Sequence, residues 1–169
     1  MNFARLFALI FTLAFSAAAP QTALARGEAV ALSGYAPGTI VVMTSERRLY
    51  FVTAQGRAVR YPVGVGRAGK AWAGHAFVAE KFIRPAWMPP ADVRRDNPGL
   101  PSLIPGGAPN NPMGAAVLSL NVNDYAIHGT NNPGSVGGFV SYGCIRMYNE
   151  DVLELYRMVR PGTPVVVLR

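Results

Sequence analysis

The segment from Arg84 to Gly114 limits the possible fold more than any other part of the chain, because it contains eight prolines. Proline cannot donate a hydrogen bond to a β-ladder and cannot continue a helix, so neither element can run through this segment. A loop of this length inside a small domain is unusual and is often functional. Because the segment also carries Trp87, Met88 and Leu103, we expect an ordered loop packed on the domain. A disordered linker between two domains is the alternative.

The sequence on either side of this loop has the composition and spacing typical of β-strands. Short runs rich in β-branched and aromatic residues are separated by turn signals such as Ser45-Glu46 and Ala54-Gln55-Gly56, a pattern typical of a meander. Strands are expected within 39–44, 47–53, 57–66, 75–83, 115–120, 125–129 and 163–169.

One helix is predicted, near the C-terminus. Asn149 can cap it, Val152 and Leu155 begin an apolar stripe at helical spacing, and Pro161-Gly162 ends it. The predicted fold class is therefore mainly β, an antiparallel sandwich or barrel-like domain with one helix near the C-terminus.

The first 25 residues have the layout of a secretory signal peptide. Arg5 is followed by an uncharged apolar run over 6–15, and small residues lead to Ala23-Leu24-Ala25, an A-x-A-type cleavage site. The run is too short for a membrane anchor, since a spanning helix needs ~20 apolar residues. We therefore expect an exported protein of the periplasm or cell envelope, without stable membrane insertion. A flexible lead-in over 26–38 would precede one domain over 39–169.

The charge balance favours anionic partners. The chain has 16 Lys and Arg against 9 Asp and Glu, a net charge of +7, and loss of Arg5 with the signal peptide would leave +6 (15 − 9). Nucleic acid is disfavoured as a partner, because the basic residues are scattered and an exported protein seldom meets nucleic acid. An anionic wall polymer fits this compartment better, and solubility alone is the other interpretation of the charge.

Cys144 is the only cysteine, so it cannot form an internal disulfide. A lone thiol is buried and inert, joined to another molecule, or reactive. Its neighbours favour a reactive thiol: Gly143 allows the backbone to approach a substrate, Arg146 can stabilise a thiolate or bind a carboxylate, and His128 can act as a base. A metal site is disfavoured, because one cysteine and two distant histidines give no recognisable ligand spacing.

The stretch from His128 to Arg146 resembles the signature of L,D-transpeptidase catalytic domains, the YkuD-type fold. That signature is a histidine followed downstream by Ser/Thr-x-Gly-Cys, an apolar residue and Arg or Asn. Here the chain reads IHGT and then SYGCIRM, with Cys144 16 positions after the histidine. The resemblance extends to the NPMG and WMPP motifs and covers about 39–168.

The resemblance implies a role for each matching residue. Cys144 is expected to be the nucleophile and His128 the general base, while Ser141, Tyr142 and Gly143 would frame the thiol and the oxyanion site. The residues expected to bind substrate are Trp87, Gly129 and Arg146. The chain departs from the family pattern at two places, which are Tyr142, where many members have histidine, and Trp72-Ala73-Gly74, where they have TPxG.

The activity that the resemblance implies is acyl transfer on peptidoglycan tetrapeptide stems, without a metal or another cofactor. A thioester would form on Cys144 as D-alanine leaves, and an amine would then resolve it. A second stem as acceptor gives a 3→3 cross-link, a protein amine gives anchoring, and water gives an L,D-carboxypeptidase or cysteine hydrolase. Carbapenems would be inhibitors. A catalytically silent wall-binding β domain is the alternative outside enzymes.

Overall fold

The structure, a computed structural model, describes residues 27–169, so the predicted signal peptide over 1–25 lies outside the described residues. Two α-helices, α1 (Ala91–Asp96) and α2 (Asn149–Met158), lie within this part of the chain, with a 3-10 turn at Pro133–Ser135. Its strands are β1 (Glu28–Ala31), β2 (Ile40–Met43), β3 (Arg48–Ala54), β4 (Arg57–Pro62), β5 (Val65–Gly66), β6 (Gly74–Ile83), β7 (Ala116–Leu120), β8 (Ala126–His128), β9 (Phe139–Ser141), β10 (Ile145–Arg146) and β11 (Pro164–Leu168).

Nine of the described strands form one sheet in the order β1-β4-β3-β2-β11-β6-β7-β8-β10, and β5 pairs with β9 separately. The mainly β fold with a helix near the C-terminus is confirmed. The sheet is mixed, however, because β11 runs parallel to β2 and β10 runs parallel to β8. These partners are distant in sequence, and a period of two along a strand does not distinguish a parallel neighbour from an antiparallel one.

Residues from both ends of the long sheet share one core. Ile40 and Leu49 from β2 and β3 belong to the same buried cluster as Leu118 and Ile127 from β7 and β8, and Leu155 of α2 joins it. The sheet therefore curves around its own apolar face. Full burial of each aliphatic side chain contributes ~1.5–3 kcal/mol, so this shared core is what holds the two ends together.

The predicted flexible lead-in over 26–38 instead contains ordered structure. β1 pairs antiparallel with β4 at the edge of the sheet. Val30, Leu32 and Tyr35 pack against a second buried cluster on the opposite face of β2, β3 and β4. These apolar residues cover a sheet face that would otherwise meet water, and that contact orders the segment.

The proline-rich segment is an ordered loop that is held by Asn111, as the packed-loop interpretation predicted. The Asn111 amide is buried, and its Nδ2 donates to the carbonyls of Pro85 at 2.9 Å and Pro105 at 3.0 Å. Trp87 and Ile104 exchange two backbone hydrogen bonds of 2.8 Å, which draw the two arms of the loop together. The buried amide and this one pair of backbone hydrogen bonds thus hold the loop in the absence of a longer ladder.

The helices differ from the prediction in two details. α1 lies within the proline-rich segment and buries none of its residues, so it has no apolar stripe that the sequence could reveal. α2 begins at Asn149, but Tyr148 occupies the capping position and makes no side-chain cap. The side chain of Asn149 bonds to two neighbouring loops instead. No helix within residues 27–169 is long and apolar enough to cross a membrane.

Candidate active site

A cavity of about 510 Å³ opens beside the end of the sheet formed by β8 and β10. His128 at the end of β8 and Cys144 just before β10 both line it. The opposite wall comes from the proline-rich loop, through Trp87 and most of α1. The loop that Asn111 holds is therefore one side of the cavity.

The parallel pairing of β10 with β8 sets Cys144 and His128 on the same face. Arg146 lies directly opposite His128, so Cys144, two residues earlier, lies level with Ala126. Residues two apart along a strand share a face. The thiol, the imidazole and the guanidinium therefore all project from one face of this strand pair.

His128 is held in one orientation by the backbone. Its side chain is buried, and Nδ1 lies 2.6 Å from the carbonyl oxygen of Gly129. A carbonyl can only accept, so Nδ1 carries the hydrogen in the neutral ring and Nε2 keeps its lone pair. Burial and the charge of Arg146 lower the pKa of His128 to about 4, against smaller opposing contributions from the backbone of Gly129 and Pro112. The imidazole is neutral near pH 7.

The thiol is also uncharged in the resting site. Burial raises the pKa of Cys144, and the backbone of Ala126 and the charge of Arg146 oppose that rise only in part. A thiol with a raised pKa and an imidazole with a lowered one both favour their neutral forms. The site therefore holds a thiol beside a base and not a thiolate–imidazolium pair.

The loop before Cys144 is tied together by Ser141. Its Oγ accepts the N–H of Gly143 at 3.1 Å and donates to the carbonyl of Cys144 at 2.6 Å. The Gly143 N–H, expected to face an oxyanion, is thus engaged inside the loop. The N–H of Cys144 has no hydrogen-bond partner among residues 27–169, and it remains available to a ligand.

Arg146 is a half-buried cation without an anion among residues 27–169. Its Nη1 donates to Oγ of Ser135 at 3.0 Å, while its buried Nε has no partner within the described chain. No carboxylate of residues 27–169 lies within ion-pair distance of its guanidinium. Burial lowers the pKa of Arg146, as expected for a charge that lacks a counterion. A carboxylate of a bound molecule would supply one.

Tyr142 joins the loop of Cys144 to α1. Its hydroxyl donates to Oδ2 of Asp96 at 2.8 Å, and the same oxygen accepts from Arg67 at 2.7 Å. The guanidinium of Arg67 stacks over the Tyr142 ring, 4.0 Å from its centre. A second ion pair, Lys70 to Asp92 at 2.7 Å, attaches the other end of α1. Because α1 buries no residue, these polar contacts hold that wall of the cavity.

Asn149 supports the site from behind the cavity lining, and it is not the helix cap that the sequence predicted. Its Oδ1 accepts the N–H groups of Ala115 at 2.9 Å and Thr130 at 3.0 Å, and its Nδ2 donates to the Thr130 carbonyl at 2.9 Å. A Cβ at Gly114 or Gly129 would lie 2.3 Å from this Oδ1, so both positions need glycine. These two glycines are the features of the sequence that could have indicated the close approach of Asn149. Asn149 therefore fixes the Gly129–Thr130 peptide, whose carbonyl holds His128, and the peptide that follows it.

The structure brings most of the predicted site residues to one cavity. Those that line it are Trp87, His128, Ser141, Tyr142, Cys144 and Arg146. Gly129 and Gly143 lie behind this lining, where their backbone carbonyls accept from side chains. Within the described part of the chain, no group of three or more His, Cys, Asp or Glu residues is placed to hold a metal ion.

The comparison with protein families agrees with this arrangement. The model of the YkuD family, described as the L,D-transpeptidase catalytic domain, matches residues 37–167. This chain belongs to the L,D-transpeptidase (YkuD) family. The "Probable L,D-transpeptidase ErfK/SrfK" of Salmonella typhimurium is 38% identical over 138 residues, which are 76% of this chain and 43% of that protein. The chain thus spans about two-fifths of the length of this curated relative of the YkuD family.

Solved structures share the fold of the family. The catalytic domain of the Enterococcus faecium L,D-transpeptidase, solved as acylated by ertapenem, has a TM-score of 0.60 at 20% identity and covers 80% of this chain and 100% of that one. A Brucella melitensis protein, named as a probable carnitine operon oxidoreductase, has a TM-score of 0.56 at 38% identity and covers 85% of this chain and 93% of that one. The first likeness concerns the fold alone.

Proposed function

We propose that this domain forms a thioester between Cys144 and a peptidoglycan stem peptide and transfers the acyl group to an amine. The observation that carries this proposal is the shared face of Cys144 and His128 in one cavity, with His128 held by the Gly129 carbonyl in the tautomer that leaves Nε2 unprotonated. Such a pair is the arrangement that nucleophilic catalysis by a thiol requires.

The resting charge states define how the first step runs. The sulfur of Cys144 attacks the carbonyl that precedes the terminal D-alanine, and the thiol proton passes to Nε2 of His128 as the C–S bond forms. The electron pair of the carbonyl moves to its oxygen, which the N–H of Cys144 can receive. Collapse then breaks the C–N bond, the proton on His128 passes to the departing nitrogen, and D-alanine leaves.

The cavity suits a donor that carries carboxylates. Arg146 offers a half-buried cation whose counterion the described chain does not supply. A charge-assisted bond from this guanidinium to a stem carboxylate would hold the donor beside the sulfur. Trp87 and Tyr142 provide apolar surface on the walls of the same cavity.

The second step uses the same base in reverse. An acceptor amine attacks the thioester carbonyl, His128 takes the amine proton, and the sulfur leaves with a proton from the imidazole. A second stem gives a 3→3 cross-link, and a protein amine gives anchoring. Water as acceptor makes the domain a carboxypeptidase. The mass of the released product separates these three acceptors.

Export to the periplasm or cell envelope is part of the proposal. The signal-peptide pattern of residues 1–25 and the positive charge of the remaining chain both support it. Detection of a mature form that begins near Arg26 in an envelope fraction would test this location, and a full-length cytoplasmic form would overturn it.

The test of the proposed function uses the purified domain with tetrapeptide stems. Intact-protein mass spectrometry should find the wild-type chain carrying the tripeptide acyl group, and Cys144→Ala should carry none. His128→Ala should acylate ~10²–10⁴-fold more slowly, which is the usual contribution of a general base. Product formation by Cys144→Ala would exclude the thioester route, and stem binding without any turnover would indicate a silent wall-binding domain.

A further inference from the structure

The peptide that joins Gly143 to Cys144 is held from one side by a tryptophan. Nε1 of Trp72, in the loop between β5 and β6, donates to the carbonyl of Gly143 at 2.9 Å. These residues are 71 positions apart in the chain. Trp72 stands at one of the two places where the sequence departs from the family pattern, and its contact falls one residue from the thiol.

An aromatic stack fixes the indole against this peptide. Trp72 and Tyr125 stack with ring centres 5.4 Å apart and planes inclined by 29°. The Tyr125 ring also packs directly against Gly143, since a Cβ there would lie 2.3 Å from Cε1 of the tyrosine. Gly143 has a φ of +125°, which favours glycine at this position. The stack therefore limits both the position and the rotation of the peptide.

Peptide geometry carries the effect of Trp72 to the reacting centre. In a trans peptide the C=O of one residue and the N–H of the next point in opposite directions. Holding the Gly143 carbonyl toward Trp72 turns the Cys144 N–H away from Trp72. That N–H has no partner among residues 27–169, whereas the Gly143 N–H is taken by Ser141.

We propose that Trp72 is a positioning residue that aims the Cys144 N–H at the oxyanion of the acyl-transfer intermediate. The inference rests on the proposed function. When the sulfur adds to the carbonyl carbon, the carbonyl electron pair moves to oxygen and the thiol proton moves to His128. The Cys144 N–H donates a hydrogen bond to that oxygen and keeps its own proton. Trp72 never touches the substrate, and it acts through the Gly143 carbonyl.

The test compares two reagents on the same thiol. A carbapenem acylates Cys144 through a tetrahedral intermediate with an oxyanion, whereas iodoacetamide alkylates sulfur by displacement and forms none. Trp72→Phe keeps an aromatic ring for the stack and removes the N–H donor. We expect acylation of Trp72→Phe to be at least about 10-fold slower, since loss of an oxyanion donor costs ~10²–10³-fold and misdirection costs less. Alkylation should stay at the wild-type rate.

A second variant removes only the donor atom. Replacement of Trp72 by benzothienylalanine, in which sulfur takes the place of the indole N–H, keeps the shape of the ring and should slow acylation to the same degree.

Equal slowing of acylation and alkylation would mean that Trp72 only supports the fold, and an unchanged acylation rate would also overturn the inference. If the wild-type chain forms no carbapenem adduct, the proposed function fails with it, whereas a normal adduct rate in both variants removes the role of Trp72 alone.

Discussion

Arg146 and His128 lie opposite each other in the parallel pair of β10 and β8, a cation without an anion beside an imidazole that is held neutral. Burial and this neighbouring charge both lower the pKa of His128, to about 4. The same guanidinium partly offsets the burial that raises the pKa of Cys144. Arg146 thus adds to the effect of burial in keeping the base unprotonated, and it makes the thiol easier to ionise during attack.

The first prediction concerns the pH dependence of the thiol. Alkylation of Cys144 by iodoacetamide should increase with pH and show no plateau below pH 7, because a thiol with a raised pKa becomes thiolate only above its ordinary range, about 8.5. Acylation by a stem peptide should fall only as the pH drops toward 4, where His128 gains a proton and can no longer accept one. A plateau of fast alkylation in mild acid would instead indicate a thiolate–imidazolium pair.

The second prediction is that carbapenems trap the domain. The sulfur of Cys144 would open the lactam by breaking its C–N bond, and the lactam nitrogen would take up the proton. Intact mass should show one adduct on the wild-type chain and none on Cys144→Ala. The absence of an adduct after long exposure at millimolar drug would show a closed or inactive site, and it would favour the silent wall-binding domain over the proposed function.

The third prediction assigns a positioning role to Asn149. Asn149→Ala removes three hydrogen bonds that fix the peptides around Gly129, whose carbonyl orients His128. Acylation should slow by about 10-fold or more, since small displacements of a catalytic group are costly. The acid limb of the pH profile should also move, because the Gly129 carbonyl raises the pKa of His128.

Leu155→Ala is the matched control for Asn149→Ala. Leu155 lies in the same helix and is fully buried, so its truncation should destabilise the domain by ~2–5 kcal/mol. Its side chain has no polar atom, so it makes none of the hydrogen bonds by which Asn149 fixes the loops around His128. At a temperature where both variants are folded, Leu155→Ala should keep the wild-type pH profile. A shifted pH profile in Leu155→Ala would mean that Asn149 acts only by stabilising α2.

The fourth prediction separates backbone strain from steric conflict. Gly143→Ala places a methyl group 2.3 Å from the Tyr125 ring at a φ of +125°, so the loop before Cys144 must move and acylation should be lost. Gly162→Ala has a φ of +87° with open space around it and lies after α2. It should cost only ~1–2 kcal/mol of stability and leave acylation unchanged. Similar acylation by both variants would show that the packing against Tyr125 is unimportant.

The fifth prediction concerns Asp151, which is fully buried with no hydrogen-bond partner for either oxygen within residues 27–169. Burial, followed by the charges of Glu154 and Glu150, raises its pKa to about 7. The folded chain therefore binds this proton more tightly than the unfolded chain, so its contribution to stability falls as pH rises from about 4 to about 7.

Asp151→Asn should remove that dependence. The variant should be more stable than the wild type at pH 8, by on the order of a few kcal/mol, and the gain should be smaller at pH 5. Glu80→Gln, which changes an exposed carboxylate on β6 that does not act on Asp151, serves as the control and should change little. Denaturant unfolding at the two pH values measures both. A loss of stability in Asp151→Asn at pH 8 would mean that the carboxylate has a partner in solution.

Local sequence patterns predicted much of the fold, because most strands and α2 show a short-range periodicity of apolar residues. The turn at Ala54-Gln55-Gly56 and the helix stop at Pro161-Gly162 both appear where expected. The His128 and Cys144 motifs likewise pointed to residues that the structure places in one cavity. The sequence did not predict that β1 is ordered, because Val30 and its neighbours show no regular apolar pattern. They become ordered through contact with the sheet face that they cover.

Side-chain roles that depend on distant contacts were beyond the sequence. Asn149 was interpreted as a helix cap, since that is the local use of such a residue, but the loops at Ala115 and Thr130 take its hydrogen bonds. Trp72 was noted only as a departure from a motif. Its partner Gly143 lies 71 residues away, and no local pattern links them.

The position of β11 determines the order in which this domain can assemble. β11 follows every other described element in the chain, yet it lies between β2 and β6, parallel to one and antiparallel to the other. Without β11, the strands β1 to β4 and the strands β6, β7, β8 and β10 are two separate parts of the sheet, joined by the β5–β9 pair and by the bridge between Gly64 and Arg146. Closure therefore waits for contacts of very long sequence separation, which form slowly. While a ribosome or an export channel still holds β11, this ladder is absent and the core to which Val165 and Val167 belong is incomplete.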